Sequence, residues 1–186
     1  MSDGPLILTD QYHEYKKIQS DAMERVFRVT TDVAAEFEKI SGRKYDLFET
    51  YRMEDAETSL IILNSAAGTS KDVVDEARDR GIKVGLLKPR LFRPFPHKQI
   101  GEILQHLKAV CVLDRSDSFG AYGPLFTEIA ASLYNYGGKP RLLNRIYGLG
   151  GRDFLPEDAL QAIEAVVAAA EGKTDLALKE YLSIRG

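Results

Sequence analysis

The sequence predicts an α/β fold: a three-layer α/β/α sandwich around a mostly parallel, doubly wound sheet, with a long N-terminal helix. Three observations predict it. Short apolar runs recur at Leu60–Leu63, Lys83–Leu87, Ala109–Leu113 and Leu142–Tyr147. Helical stretches separate them, and continuous apolar strands alternating with helices make a parallel sheet covered on both faces. Right-handed crossovers then place helices on both sides of the sheet. Ahead of these runs lies a segment with helical spacing over nearly thirty residues.

Residues 1–58 read as an N-terminal arm and residues 59–186 as the α/β domain. Asp10 is placed to cap a helix. Apolar residues follow at Tyr12, Tyr15, Ile18, Ala22, Val26, Val29, Val33, Phe37 and Ile40, in steps of three and four that share one helical face. Gly42 is a suitable stop. A helix from about 11 to 40 runs roughly 45 Å at 1.5 Å per residue. That length fits an arm packed along a neighbour; the competing arrangement is a helix folded back on its own domain. Phe48–Arg52 reads as a short strand.

The remaining elements follow in order. After Leu60–Leu63 comes a small-residue loop, Ser65–Ser70, and a helix from about 70 to 80 that Gly81 ends. After Lys83–Leu87, Pro96 suits the first turn of a helix reaching Leu107. After Ala109–Leu113 comes a helix over about Pro124–Tyr134. After Leu142–Tyr147 come a helix over Pro156–Ala170 and a short final helix near Asp175–Leu182. The chain shows no internal repeat and no low-complexity segment.

Composition narrows the function classes. The 186 residues carry 44% apolar and 28% charged side chains, as ordinary globular proteins do. Runs such as Leu60–Leu63 are too short to span a bilayer, so no membrane is expected. No basic-then-apolar segment opens the chain, which makes the cytoplasm the expected setting. A lone cysteine excludes an internal disulfide and a four-thiolate iron–sulfur cluster held by this chain alone. Cys111 lies inside an apolar run and reads as a small core residue.

The net charge of −3 conceals an asymmetry. Residues 88–152 hold ten Lys/Arg against four Asp/Glu, whereas residues 1–58 hold eight against thirteen. Nucleic acid is not expected, because the basic residues are scattered among strand ends with no aromatic stacking stripe. An anionic cofactor tail or an acidic partner subunit fits the basic stretch, and so does internal pairing of the arginines.

In such a sheet, ligands bind beyond the carboxyl ends of the strands. Four unusual segments fall there: Asn64–Ser70, Lys88–Phe95, Asp114–Gly123 and Gly148–Pro156. Asn64–Ser70 leads into a helix N-terminus, which favours an anion, and a Ser or Thr cap explains it equally. It has neither the Gly-x-Gly-x-x-Gly fingerprint nor a P-loop. Arg90 and Arg93 sit in a proline-stiffened loop suited to a phosphate or carboxylate, or to intersubunit ion pairs. Asp114 can orient Arg115 or cap the next turn. The glycines before Arg152 allow positive φ or close backbone approach. His13, His97 and His106 fall on predicted helices without metal-ligand spacing. Neither a Ser-His-Asp candidate nor a Gly-x-Ser-x-Gly elbow is evident.

The motifs Tyr12-x-x-Tyr-Lys-Lys, Ala22-Met-Glu24, Tyr51-Arg-Met53, Ala66-Ala-Gly-Thr-Ser-Lys71, Leu91–Pro96, Asp114–Gly120, Gly123–Glu128 and Tyr147–Asp153 occur in this order along the chain. Together they resemble the alpha subunit of pyruvate:ferredoxin oxidoreductase and its 2-oxoacid relatives, in its second, transketolase C-terminal-like domain. The resemblance implies an oxidoreductase complex that oxidatively decarboxylates a 2-oxoacid to an acyl-coenzyme A. That complex uses thiamine diphosphate with Mg, iron–sulfur clusters and CoA, and reduces ferredoxin or flavodoxin. Leu91–Pro96 looks most like the pyruvate branch. In the family an earlier domain helps enclose the thiamine cofactor, and Gly4–Thr9 looks like the segment leaving it, as in a truncated or naturally split subunit. The family's thiamine-contacting residues have no counterparts here, so the resemblance implies a noncatalytic assembly domain that binds no cofactor itself. Its partners would be other subunits of the complex, with a homodimer also open. Arg90, Arg93, Asp114, Arg115 and Arg152 are then candidate interface or anion contacts. A free-standing module for a nucleotide or the CoA tail is the competing reading, and an independent small oxidoreductase the weaker one.

Overall fold

The computed structural model describes residues 8–185. Gly4–Ile7, read above as part of an exit segment, lie outside them. The chain forms two compact units, one of residues 8–47 with 91–95 and one of 48–90 with 96–185.

The larger unit is a six-stranded sheet. Its strands are β1 (Phe48–Tyr51), β2 (Thr58–Ile62), β3 (Val84–Pro89), β4 (Ala109–Asp114), β5 (Arg141–Ile146) and β6 (Lys179–Tyr181). They lie in the order β1-β3-β2-β4-β5-β6. All neighbours are parallel except β1, which runs antiparallel to β3. Four helices cover the sheet: α3 (Ala66–Asp79), α4 (His97–Leu104), α5 (Pro124–Tyr136) and α6 (Pro156–Ala170). The expected three-layer, mostly parallel architecture is the one observed. Successive side chains of a strand point to opposite faces. Leu60 and Ile62 of β2 therefore join Val74 of α3 and Ile163 of α6 in one core, while α4 packs against α5 over the other face. Every residue of β2 and β4 is buried, as central parallel strands require.

Gly101 sets the contact between α4 and α5. A Cβ there would lie 2.7 Å from the Ser132 carbonyl oxygen and 2.9 Å from Tyr136 Cβ. Only hydrogen fits at this crossing.

Cys111 is fully buried in β4, and burial pushes its thiol pKa up to about 12. The thiolate is the reactive form. We therefore expect negligible labelling by Ellman's reagent in the native protein and rapid labelling in urea; fast native labelling would contradict the packing.

The smaller unit holds α1 (Tyr12–Glu24) and α2 (Val26–Ser41). The single helix expected over 11–40 is thus divided at Arg25. The Arg25 N–H donates to the Ala22 carbonyl, three residues back, at 3.2 Å. Arg25 keeps right-handed helical dihedrals (φ −73°, ψ −18°), so the path continues through a locally tightened turn. Neither Gly nor Pro marks the site. Gly42 ends α2 in the left-handed conformation at φ 69°, as its position predicts.

Three further expectations differ. The short final helix near Asp175–Leu182 is instead β6. There the Asn144 N–H donates to the Leu178 carbonyl, and the Leu182 N–H to the Ile146 carbonyl. The open edge of β5 offers unpaired backbone groups, and satisfying them outweighs a short isolated helix. α3 begins at Ala66 rather than near residue 70, so the small residues form its first turn rather than a loop. α4 ends at Leu104, which leaves His106 in the following turn.

Candidate assembly face at the carboxyl edge of the sheet

β2, β3, β4 and β5 are parallel, so the segments leaving them emerge at one edge. Asp114, the last residue of β4, is 3% exposed. Its Oδ1 accepts the Leu125 N–H at 2.8 Å and its Oδ2 the Phe126 N–H at 3.1 Å. Gly123, the residue preceding α5, has no side chain to cap the helix, so the cap comes from the neighbouring strand. Asn144 of β5 completes the arrangement, donating to Asp114 Oδ2 at 2.9 Å and accepting the Gly123 N–H at 2.9 Å. Burial raises the Asp114 pKa, and the N–H donors and Asn144 oppose that shift. The cap reading of Asp114 describes these contacts, and Arg115 turns elsewhere.

The segment after β4 is pinned from outside. Asp117 pairs with Lys179 and accepts the Tyr181 hydroxyl, both from β6. Lys179 also donates to the Ala121 carbonyl at 2.7 Å. The held loop leaves Phe119 wholly exposed at its tip, with φ 34°.

Arg115 Nε donates to the Gly148 carbonyl at 3.1 Å. Arg152 donates to the Ser183 carbonyl, and Ser183 in turn reaches Asp158. Asp158 also accepts the Leu155 N–H at 2.9 Å, tying down the start of α6. Arg115 and Arg152 thereby line one open cleft of about 370 Å³, with Asn64, Ser65, Tyr147 and Asp153. Ser65 makes no capping bond to α3, so the positive end of that helix faces the same cleft. Two arginines and a helix N-terminus against one aspartate suit a carboxylate or phosphate.

Arg90 sits elsewhere. Arg90 pairs with Glu49 of β1, which also pairs with Lys71 of α3. Arg93 belongs to the smaller unit, where its guanidinium lies 4.3 Å from the Phe92 ring centroid and donates to the Phe92 carbonyl. Of the five candidate residues, the structure brings together Arg115 and Arg152.

One grouping escaped the sequence reading. His97 Nδ1 lies 3.0 Å from Ser132 Oγ, and its Nε2 3.2 Å from Glu128 Oε2. The trio has the membership of a hydrolytic triad. Ser132 is fully buried, however, and its hydroxyl donates to the Glu128 carbonyl. No substrate reaches it, and the trio acts as a tie between α4 and α5. Among the described residues, no group of three or more His, Cys, Asp or Glu is placed to hold a metal ion, and no helix is long and apolar enough to cross a membrane.

Comparison with known proteins decides the family. The family described as "Pyruvate:ferredoxin oxidoreductase core domain II" matches residues 56–159. The chain belongs to this family. It is similar to pyruvate synthase subunit PorA of Thermotoga maritima, with 46% identity over 98% of this chain and 46% of the relative. It is also similar to ketoisovalerate oxidoreductase subunit VorA of Pyrococcus abyssi, with 39% identity over 96% of this chain and 46% of the relative. This core domain II chain thus spans about half the length of the curated relatives it matches. A solved split-gene transketolase, an inactive beta4 tetramer, overlays with a TM-score of 0.51 at 13% identity, over 69% of this chain and 44% of that one. That likeness shows the transketolase-like fold alone.

The charges around the core domain II sheet set its acid response. Hydrogen bonding to Lys71 holds Glu49 below its ordinary pKa, and Lys179 and Tyr181 do the same for Asp117. A carboxylate with a lowered folded pKa stabilises above its unfolded value and loses that contribution as pH falls. Asp114 has the opposite sign: its raised pKa gives a contribution that is fullest below about 3.8 and lost as pH rises. Several lowered groups face one raised group, so the urea midpoint is expected to fall between pH 6 and pH 3.5. A rising midpoint would show that Asp114 dominates.

Proposed function

We propose that this chain is a noncatalytic assembly domain of a 2-oxoacid:ferredoxin oxidoreductase, with pyruvate as the substrate of the whole complex. One observation carries the reading. Nearly the whole chain matches relatives named for pyruvate and for ketoisovalerate, over the same share of their length. A part common to enzymes of different oxoacids is what a shared structural element would be. The 46% identity to the Thermotoga maritima pyruvate synthase subunit supports pyruvate, whereas the pyruvate synthase and ketoisovalerate subunits of Pyrococcus abyssi are equally similar at 39%.

In this reading the full complex oxidatively decarboxylates pyruvate in the cytoplasm, forms an acyl-CoA, and passes electrons to ferredoxin or flavodoxin. Thiamine diphosphate, Mg, iron–sulfur clusters and CoA are held by its other parts. The residues present fit that division. The single thiol is buried in β4 and supplies at most one of the four ligands a cluster takes. Asp114 and Ser132 are committed to helix ends and helix contacts. The cleft of Arg115 and Arg152 and the exposed Phe119 form the face that meets a partner subunit, where an acidic group enters the cleft. Within residues 1–58 the helices α1 and α2 act as an arm, and residues 59–186 form the body together with β1.

The test is an affinity pull-down from anaerobic lysate, with mass spectrometry of the bound proteins. Recovery of thiamine-binding and iron–sulfur subunits supports the reading. Recovery of neither, from a lysate shown to contain both, overturns it. Arg115→Ala with Arg152→Ala should weaken recovery about tenfold if these residues meet the partner.

A further inference from the structure

The described residues of α1 and α2 include none that is buried. Large apolar side chains stand in solvent along them: Tyr12 42%, Tyr15 43%, Ile18 64%, Val29 53%, Val33 58%, Phe37 44% and Ile40 84% exposed. A helix of this kind gains little stability by itself, since most helical stability comes from a covered apolar face.

The spacing identifies the kind of cover. Tyr12, Gln19, Val26, Val33 and Ile40 recur every seventh residue, and Tyr15, Ala22, Val29 and Glu36 form the companion row three residues on. Two rows with a seven-residue repeat make a coiled-coil seam, here flanked by Ile18 and Phe37. The helical path runs on through Arg25 without reversing, so the face cannot close on itself.

We propose that this face is an antiparallel coiled-coil seam whose occupant is the same helix pair of a second copy of the chain. Two polar residues interrupt the rows, Gln19 and Glu36. In a parallel pair Glu36 would meet Glu36, which places like charges in the seam. The antiparallel register that overlaps the helices fully sets Gln19 of one copy opposite Glu36 of the other. The same register sets Val26 against Val29, Ala22 against Val33 and Tyr15 against Ile40. It also brings Arg25 beside Asp32 of the other copy, twice by symmetry. Any foreign helix would have to supply partners for Gln19 and Glu36, and this chain already carries both. Taking aromatic side chains as roughly 150–250 Å² each, the exposed stripe offers on the order of 700 Å² per copy, near the ~800 Å² a stable interface takes from each partner.

Sedimentation equilibrium of the chain tests the pairing, and a dimer is expected in the micromolar range. Val29→Asp with Val33→Asp should weaken association at least ~100-fold by placing carboxylates in the seam, with the thermal unfolding of the sheet unchanged. Arg25→Asp should weaken it about tenfold and Asp32→Arg in the same chain restore it. Orientation is read by oxidation. Tyr15→Cys and Ile40→Cys chains should cross-link when mixed and not when alone; Cys111 is buried and stays silent. A strictly monomeric chain, cross-linking within either variant alone, or association unchanged by the aspartates would each overturn the proposal. A chain that pairs with itself and recruits no other subunit would sink the assembly reading and leave this one standing.

Discussion

Replacing Asp114 with alanine should lower the stability of the sheet by roughly 3 kcal/mol, the sum of a lost helix cap at about 1 and a stranded buried amide at about 1–3. The carboxylate receives the first free N–H groups of α5 and the Asn144 amide, all in a site closed to water. Burying its charge has a cost, seen in its raised pKa. Removing the carboxyl recovers that cost only in part, because the Leu125 and Phe126 N–H groups remain buried without their acceptor, while Asn144 keeps the Val112 carbonyl. Asp114→Asn keeps the shape and one acceptor, and should cost about half as much. Urea unfolding followed by far-ultraviolet circular dichroism measures both. An alanine variant as stable as the parent would show that water or a shifted backbone satisfies the donors.

Gly123→Ala should be the second severe change, at roughly 2–3 kcal/mol, the upper part of the range for overpacking a filled site. The backbone there is extended (φ −62°, ψ 151°), so alanine suffers no dihedral strain. The cost is steric: the added Cβ would overlap the Asp114 carboxyl. Relief requires the carboxylate to move, which pulls it from Leu125 and Phe126. The two substitutions therefore act on one contact, and their effects should not add. The double variant Asp114→Ala, Gly123→Ala should be less destabilised than the sum of the singles by at least ~1 kcal/mol, since the bonds of the carboxylate can be lost only once, while Asp114 Cβ at 2.6 Å still crowds the added methyl. Strict additivity would mean that Gly123 is required for a different reason.

Local signals made most of the fold readable. Apolar runs marked β2 to β5, Gly81 and Pro96 marked helix ends, and Pro156 started α6 where expected. β6 stayed hidden because three residues carry too little pattern, and its existence depends on the free edge of β5 some thirty-five residues earlier. The tightening at Arg25 has no glycine or proline to announce it. The site was readable as a set of loops and not as a geometry. Arg115 and Arg152 meet in one cleft only because β4 and β5 are neighbours, which strand order decides and sequence spacing does not. Arg90 looked equivalent to them, yet β1 returns beside β3 and supplies Glu49. Asp114 presented both an orienting and a capping reading, and choosing between them needed the position of α5. The tie of His97 to Ser132 spans thirty-five residues between two helices and had no local trace.

The strand order also bears on synthesis at the ribosome. β2 is made before the strands that flank it, and every later strand joins one already present: β3 and β4 on β2, β5 on β4, β6 on β5. Only β1 has to wait, and only for β3. The sheet can therefore grow outward in the direction of translation, which spares a parallel sheet much of the search for distant partners that slows such topologies. The three-residue β6 covers part of the β5 edge, and being so short it leaves little edge of its own for another chain to pair with.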